Sequence, residues 1–276
     1  GLAFTVCPDR GMDIGRATFR GTPLAWISRN GDVAPSFYNP DGLEWLRTWS
    51  GGLLTGCGLG NVGGPVEVGG ERHGLHGRLS HLPAEEVNTS AAWADDGRYT
   101  LIASGRVRES RVFGENLALT RRITTRHGSA EITVEDAIEN QGFAPAPVSL
   151  LYHINLGWPL VDAGARLEAP PHDVTPQNAH AAAGLDAWAQ ITAPQPGFRE
   201  QVYYHAIPAG NSGLASVRLA NPKLGLAFEV AYRTAELPHL IEWKMMGEGE
   251  YVVGLEPSTC YPEGRGRAAE RGPCGR

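Results

Sequence analysis

A chain of 276 residues with 42% apolar and 20% charged residues has the make-up of a globular protein, large enough to bury a core without disulfide or metal support. Its net charge of −6 excludes a general nucleic-acid role, which needs a clustered Lys/Arg excess. The longest apolar runs, such as 147–151, fall far short of a membrane span, and neither a like-charged tail nor a signal peptide is read in it.

The 36 glycines and 20 prolines predict many short strands joined by tight turns, with few short helices. In chain order, residues 1–6 read as a strand with no initiator Met, so the sequence is expected to begin inside a longer one. Residues 39–49 read as a helix. Alternating residues predict one or two strands over 99–112, then a hairpin of 117–125 and 130–140 turning at His127-Gly128. The Ala/Pro/His-rich stretch 172–195 reads as a long loop with a short helical turn near 178–184. Strands over 216–220 and 224–232 flank an Asn221-Pro222 turn, and strands over 240–245 and 250–256 close the set. This spacing predicts an all-β sandwich or barrel, and with no repeat of fixed period a single domain spans 1–276. Cys7, Cys57, Cys260 and Cys274 lie far apart without a CxxC pair, which predicts free thiols and a cytoplasmic location.

Five segments have compositions that packing alone does not demand. Asp9-Arg10-Gly11-Met12-Asp13 places two acids and an arginine beside glycine, as a binding turn or as a solvated one. Trp45, Arg47 and Trp49 precede a glycine-rich run to Gly64. Indoles stack on the C–H faces of sugars while guanidinium forks bind hydroxyls; a core Trp pair beside a bulge is the alternative. Residues 71–81 hold three histidines and two arginines, with glycines beside His73 and His76 that let a ligand approach. Imidazole is also a metal ligand, although HxxH outside an HExxH helix specifies little. His153 and Asn155 stand two apart in an apolar strand, so they share a face and need partners there. Glu256 ends an apolar strand before Pro257, where it is a candidate general base whose pKa desolvation raises toward the working range, or the partner of an arginine.

The runs RGMDIG (10–15), GGLLTGCGLGNVG (51–63), HGLHGR (73–78), LLYHINLGWPL (150–160), IEWKMMGEGEYVVGLEP (241–257) and EGRGRAAERG (263–272) resemble an aldose 1-epimerase-related domain family of unassigned biochemical function. The resemblance runs through nearly the whole chain. It implies a galactose-mutarotase-like β-sandwich (a supersandwich) with a sugar cleft across one sheet, here cropped at both ends. It also implies an epimerase or mutarotase that opens the ring of a free monosaccharide by acid–base chemistry, with His76, His153 and Glu256 catalytic and no metal or cofactor. Arg47 takes the place of the family's substrate-binding arginine. Asp13, Trp49, Arg78, Asn155 and Lys244 join it as substrate-binding candidates, and Arg78 and Lys244 would favour an anionic sugar. His76 and His153 are expected about a sugar ring apart. Departures are the HGR in place of HGG and the altered neighbours of the second histidine; the family's substrate-gripping Asp has no clear match, with Glu242 or Lys244 nearest its place. Two alternatives stay open: a metal-assisted isomerase or lyase using His73, His76, His153 and Glu256 as ligands, and a non-catalytic carbohydrate-binding protein. Expected partners are a monosaccharide or sugar derivative, with no nucleic acid and no membrane, the protein being a monomer or weak homodimer.

Overall fold

Strands that alternate in burial, such as Ile132–Asn140 and Leu214–Asn221, join almost fully buried ones, such as Leu54–Leu59 and Tyr251–Ser258, in a stack of antiparallel sheets. A computed structural model describes residues 1–265, so Cys274 and the end of the closing run from residue 266 lie outside the described residues. The strands in chain order are β1 (Leu2–Cys7), β2 (Asp13–Phe19), β3 (Thr22–Pro23), β4 (Leu54–Leu59), β5 (Val66–Val68), β6 (Glu71–His73), β7 (Ala84–Trp93), β8 (Tyr99–Ser110) and β9 (Asn116–Arg126). They continue as β10 (Ile132–Asn140), β11 (Ser149–Leu156), β12 (Arg166–Glu168), β13 (Asp173–Pro176), β14 (Gln201–Ala206), β15 (Leu214–Asn221), β16 (Leu226–Arg233), β17 (His239–Met246) and β18 (Tyr251–Ser258).

One large sheet runs β1-β2-β4-β11-β18-β17-β14-β13, with β3 paired to β2. One of its faces packs on the β12-β15-β16 sheet through a core that includes Leu54, Leu156, Leu219, Leu240 and Leu255. The β10-β9-β8-β7 sheet packs nearby through Met12, Leu59, Leu117 and Leu119. The opposite face of the large sheet carries a separate, aromatic cluster of Trp45, Trp49, Leu151, Tyr204 and Ile241. Arg121 ties the layers together from a fully buried position, reaching Asp136 at 2.7 Å and Asp13 at 3.1 Å.

The β9–β10 hairpin and the β15–β16 pair form where the alternation predicts them. The helix expected over 39–49 is only a 3₁₀ turn at Glu44–Arg47, since Gly42 stands left-handed (φ 53°) just before it. The stretch 172–195 is not all loop. Its start forms β13, which pairs with β14 as the last strand of the sheet, the one place where Pro176 costs no ladder bond. The short helix α1 (Ala179–Ala182) follows, capped by the Asn178 side chain accepting from the Ala181 N–H at 3.0 Å. No helix among the described residues is long and apolar enough to cross a membrane.

Candidate active site

Strand register places the central pair. Asn155 lies opposite Gly254 and Ile154 opposite Leu255, which sets His153 opposite Glu256 across β11 and β18. The same row continues to Ile241 on β17 and to Thr55 on β4. His153 Nε2 lies 3.1 Å from Glu256 Oε1. No hydrogen bond forms between them, and both Glu256 Oε1 and His153 Nδ1 are buried without a partner. Orphaned polar atoms in a packed interior are costly and point to a working group. Gly254 makes the contact possible, since a Cβ there would lie 2.7 Å from Glu256 Oε1 and 3.2 Å from His153 Cε1.

The turn of HGLHGR supplies the third group. His76 has a left-handed backbone (φ 56°), an uncommon conformation for a residue with a side chain. Gly77 follows at φ 72°, where any Cβ would strike the Gly58 and Asn61 carbonyl oxygens. The turn aims the His76 ring edge-on at His153, with centroids 5.7 Å apart. His76 Nδ1 accepts from the Gly63 N–H at 3.4 Å, so a neutral His76 carries its proton on Nε2.

Burial sets the protonation of all three. It holds Glu256 well above the ordinary carboxyl range, with the Glu200 carboxylate adding to the effect. It lowers His76 to about 4 and takes His153 well below the usual imidazole value, His76 adding to the latter. Burial thus favours the uncharged form of each group, the protonated carboxyl and the neutral imidazoles.

Three indoles roof the trio. His153 packs against Trp49 at 5.1 Å and Trp243 at 5.4 Å, and Trp26 lies beside both indoles at 5.0 and 6.1 Å. Trp49 is fixed by donating from Nε1 to Thr55 Oγ1 at 3.1 Å. Trp243 donates to the exposed Glu200 carboxylate at 2.7 Å. Above them opens a cavity of about 780 Å³, floored by Trp26, Trp49 and Trp243 and rimmed by Arg29, Glu250, Arg199 and Glu200. His153 and Glu256 lie beneath this floor and do not line the cavity.

A family model described as a domain of unknown function, DUF4432, matches residues 1–275. The chain belongs to the DUF4432 family. Among solved structures it is similar to a candidate aldose 1-epimerase from Klebsiella pneumoniae, at 29% identity and a TM-score of 0.89, over 95% of this chain and 69% of that one. A galactose mutarotase related enzyme from Lactobacillus acidophilus (13% identity, TM-score 0.55, 94% of this chain and 85% of that one) shares the fold. So does a galactose mutarotase-like protein from Lactobacillus casei (13%, 0.54, 95% and 89%). No curated protein matches the chain. The architecture of this DUF4432 chain is thus the galactose-mutarotase-like sandwich.

Of the residues singled out from sequence, His76, His153, Glu256 and Trp49 meet here, while Asn155 supports them from the same strand by donating to the Gly52 and His153 carbonyls. The others stand elsewhere. Asp13 is a structural acid: it pairs with Arg121 and accepts from the Gly56 N–H, and burial raises it to about 7. Arg47 is exposed and pairs with Glu44. Arg78 lines a separate groove beside His73 and Glu109. Lys244 points to the other face of β17, donating to the Ala187 and Trp188 carbonyls, because residues two apart from Ile241 and Trp243 face the cleft and those between them do not. Glu242 shares that far face and meets His205 at 3.1 Å. His73 lies on β6 at the separate groove, so the four-ligand metal set does not assemble. Among the described residues no three His, Cys, Asp or Glu are arranged to hold an ion. Trp26, Trp243 and Glu200 were not singled out. The signal for Trp243 was the alternation of β17, two residues from Ile241 on the face that Glu256 shares.

Proposed function

We propose that this protein is a sugar epimerase of the aldose 1-epimerase kind, acting on a free sugar by acid–base ring opening. The observation that carries this reading is the buried meeting of Glu256, His153 and His76, with Glu256 Oε1 and His153 Nδ1 left unpartnered beneath an indole platform. Ring opening needs one group to take the anomeric hydroxyl proton while another gives a proton to the ring oxygen, and both change roles on closure. The trio has one such proton to move. Glu256 acts first as the acid and not as the general base expected from sequence, because burial favours its protonated form: its carboxyl donates to the ring oxygen as the C1–O5 bond breaks, and neutral His153 takes the hydroxyl proton. Carboxylate and imidazolium result, and closure on either face of the new carbonyl restores the neutral pair. With Nδ1 occupied, His76 has its Nε2–H left to donate, and this group is assigned to hold a sugar oxygen.

The substrate reaches the trio past Trp243, whose hydrogen bond goes to an exposed rim carboxylate, whereas Trp49 is anchored inside the sheet row. A binding protein without chemistry has no use for a carboxyl and an imidazole left unpaired in a dry interior. The test is polarimetry on fresh aldose solutions with wild type, His153→Gln and His76→Gln. Loss of an acid or base lowers turnover by about 10²–10⁴-fold. Both variants turning over at the wild-type rate would remove the acid–base assignment.

A further inference from the structure

The cleft rim carries two cations and two anions, and it is much larger than one sugar ring. Arg29 pairs with Glu250, while Arg199 stands beside Glu200, whose carboxylate receives the Trp243 N–H. The lining charges cancel, and the two cations expected to select an anion, Arg78 and Lys244, stand outside the cleft. A second carboxylate close to Glu256 repels an anionic substituent at the reacting end. The floor is apolar: Trp26, Trp49 and Trp243 pack on one another at tilted to edge-on angles of 47–75°, with Phe198 and Met245 beside them. A hexose fills about 200 Å³ at the packing density of protein interiors. The cavity holds about 780 Å³, so a single ring working above His153 leaves most of it empty. His153 packs on Trp49 and Trp243, which places the Trp26 side of the platform one indole further from the chemistry.

From this we infer that the substrate is an uncharged saccharide of at least two rings. Its reducing end reaches His76, His153 and Glu256 past Trp243, and its second ring stacks on the Trp26 side of the platform. The inference rests on the epimerase reading and extends it to a substrate class. Stacking on an indole strengthens binding without contacting the reacting carbon, so it shows in affinity and not only in turnover.

The experiment is isothermal titration of the full chain with glucose, maltose, cellobiose and glucuronate. At least one disaccharide is expected to bind about tenfold or more tighter than glucose, with glucuronate no tighter than glucose. Trp26→Leu should shrink the ratio of disaccharide to glucose affinity. Trp26→Phe, which keeps a ring with a smaller stacking face, should shrink the ratio in the same direction should the Leu variant not fold. Glucose binding as tightly as both disaccharides, or glucuronate binding tightest, overturns the inference, as does binding by none of the four. The chemistry is judged separately: a wild-type protein that binds the disaccharide but does not interconvert its anomers would sink the epimerase reading while leaving this inference standing.

Discussion

Replacing Gly254 with alanine should break the chemistry while keeping the fold. The added Cβ would stand 2.7 Å from Glu256 Oε1, 3.1 Å from Trp243 Cβ and 3.2 Å from His153 Cε1, where 3.4 Å begins ordinary contact. Oε1 must therefore retreat by about 0.7 Å, and the two neighbouring groups by a few tenths of an ångström each. The nearest atom is the end of a flexible side chain, and a strand glycine is itself weakening by about 0.5–1 kcal/mol, so the net stability loss stays within about 2 kcal/mol. Catalysis is less forgiving, because a displacement of about 1 Å at reacting groups costs on the order of 10²-fold. Turnover is expected to fall about 10–100-fold, read by polarimetry beside a thermal melt. A Gly254→Ala protein with wild-type turnover would show that the Glu256–His153 contact has no part in the reaction.

The rate should be level between two limbs. Below about 4, His76 is protonated and its Nδ1 can no longer accept from the Gly63 N–H, which loosens the turn that aims it; as pH rises through the elevated Glu256 value, the acid is lost. An alkaline limb in the ordinary carboxyl range would contradict the burial argument. Glu200→Gln keeps an acceptor for the Trp243 indole but removes the charge that raises Glu256, so the alkaline limb should move to lower pH in a pH–rate series. Arg121→Met leaves Asp13 and Asp136 buried without their cation and should cost about 3–5 kcal/mol, measured by denaturant melts. Chelator treatment should leave turnover unchanged, and activity lost to chelation and restored by a divalent metal would replace acid–base opening with metal chemistry.

The sheet scaffold was legible because alternation is a local signal, and the β9–β10 and β15–β16 pairs could be read from turn residues and period alone. The trio was legible by its order and type within a resemblance, but its geometry was not. Whether His153 meets Glu256 depends on the register of two strands a hundred residues apart, which Gly254 and the Leu255–Ile154 pairing fix. The substrate-binding set was less readable, for the same reason. Lys244 and Trp243 are neighbours in sequence, yet the two-residue period sends one to the Ala187 carbonyl and the other to the cleft. Asp13 carries the signature of a binding acid, and only the fold brings Arg121 from the facing sheet to pair with it. Glu200 lies outside every conspicuous motif and enters the site through β14's place beside β17.

The most direct measurement is proton exchange spectroscopy between the α and β anomers of a reducing disaccharide, with wild type and Glu256→Gln at equal concentration. The account predicts that wild type produces exchange peaks well above the uncatalysed rate, and that Glu256→Gln folds, binds the sugar and loses about 10²–10⁴-fold of that exchange. Equal exchange from the two proteins, or none from wild type with the sugar demonstrably bound, would contradict it.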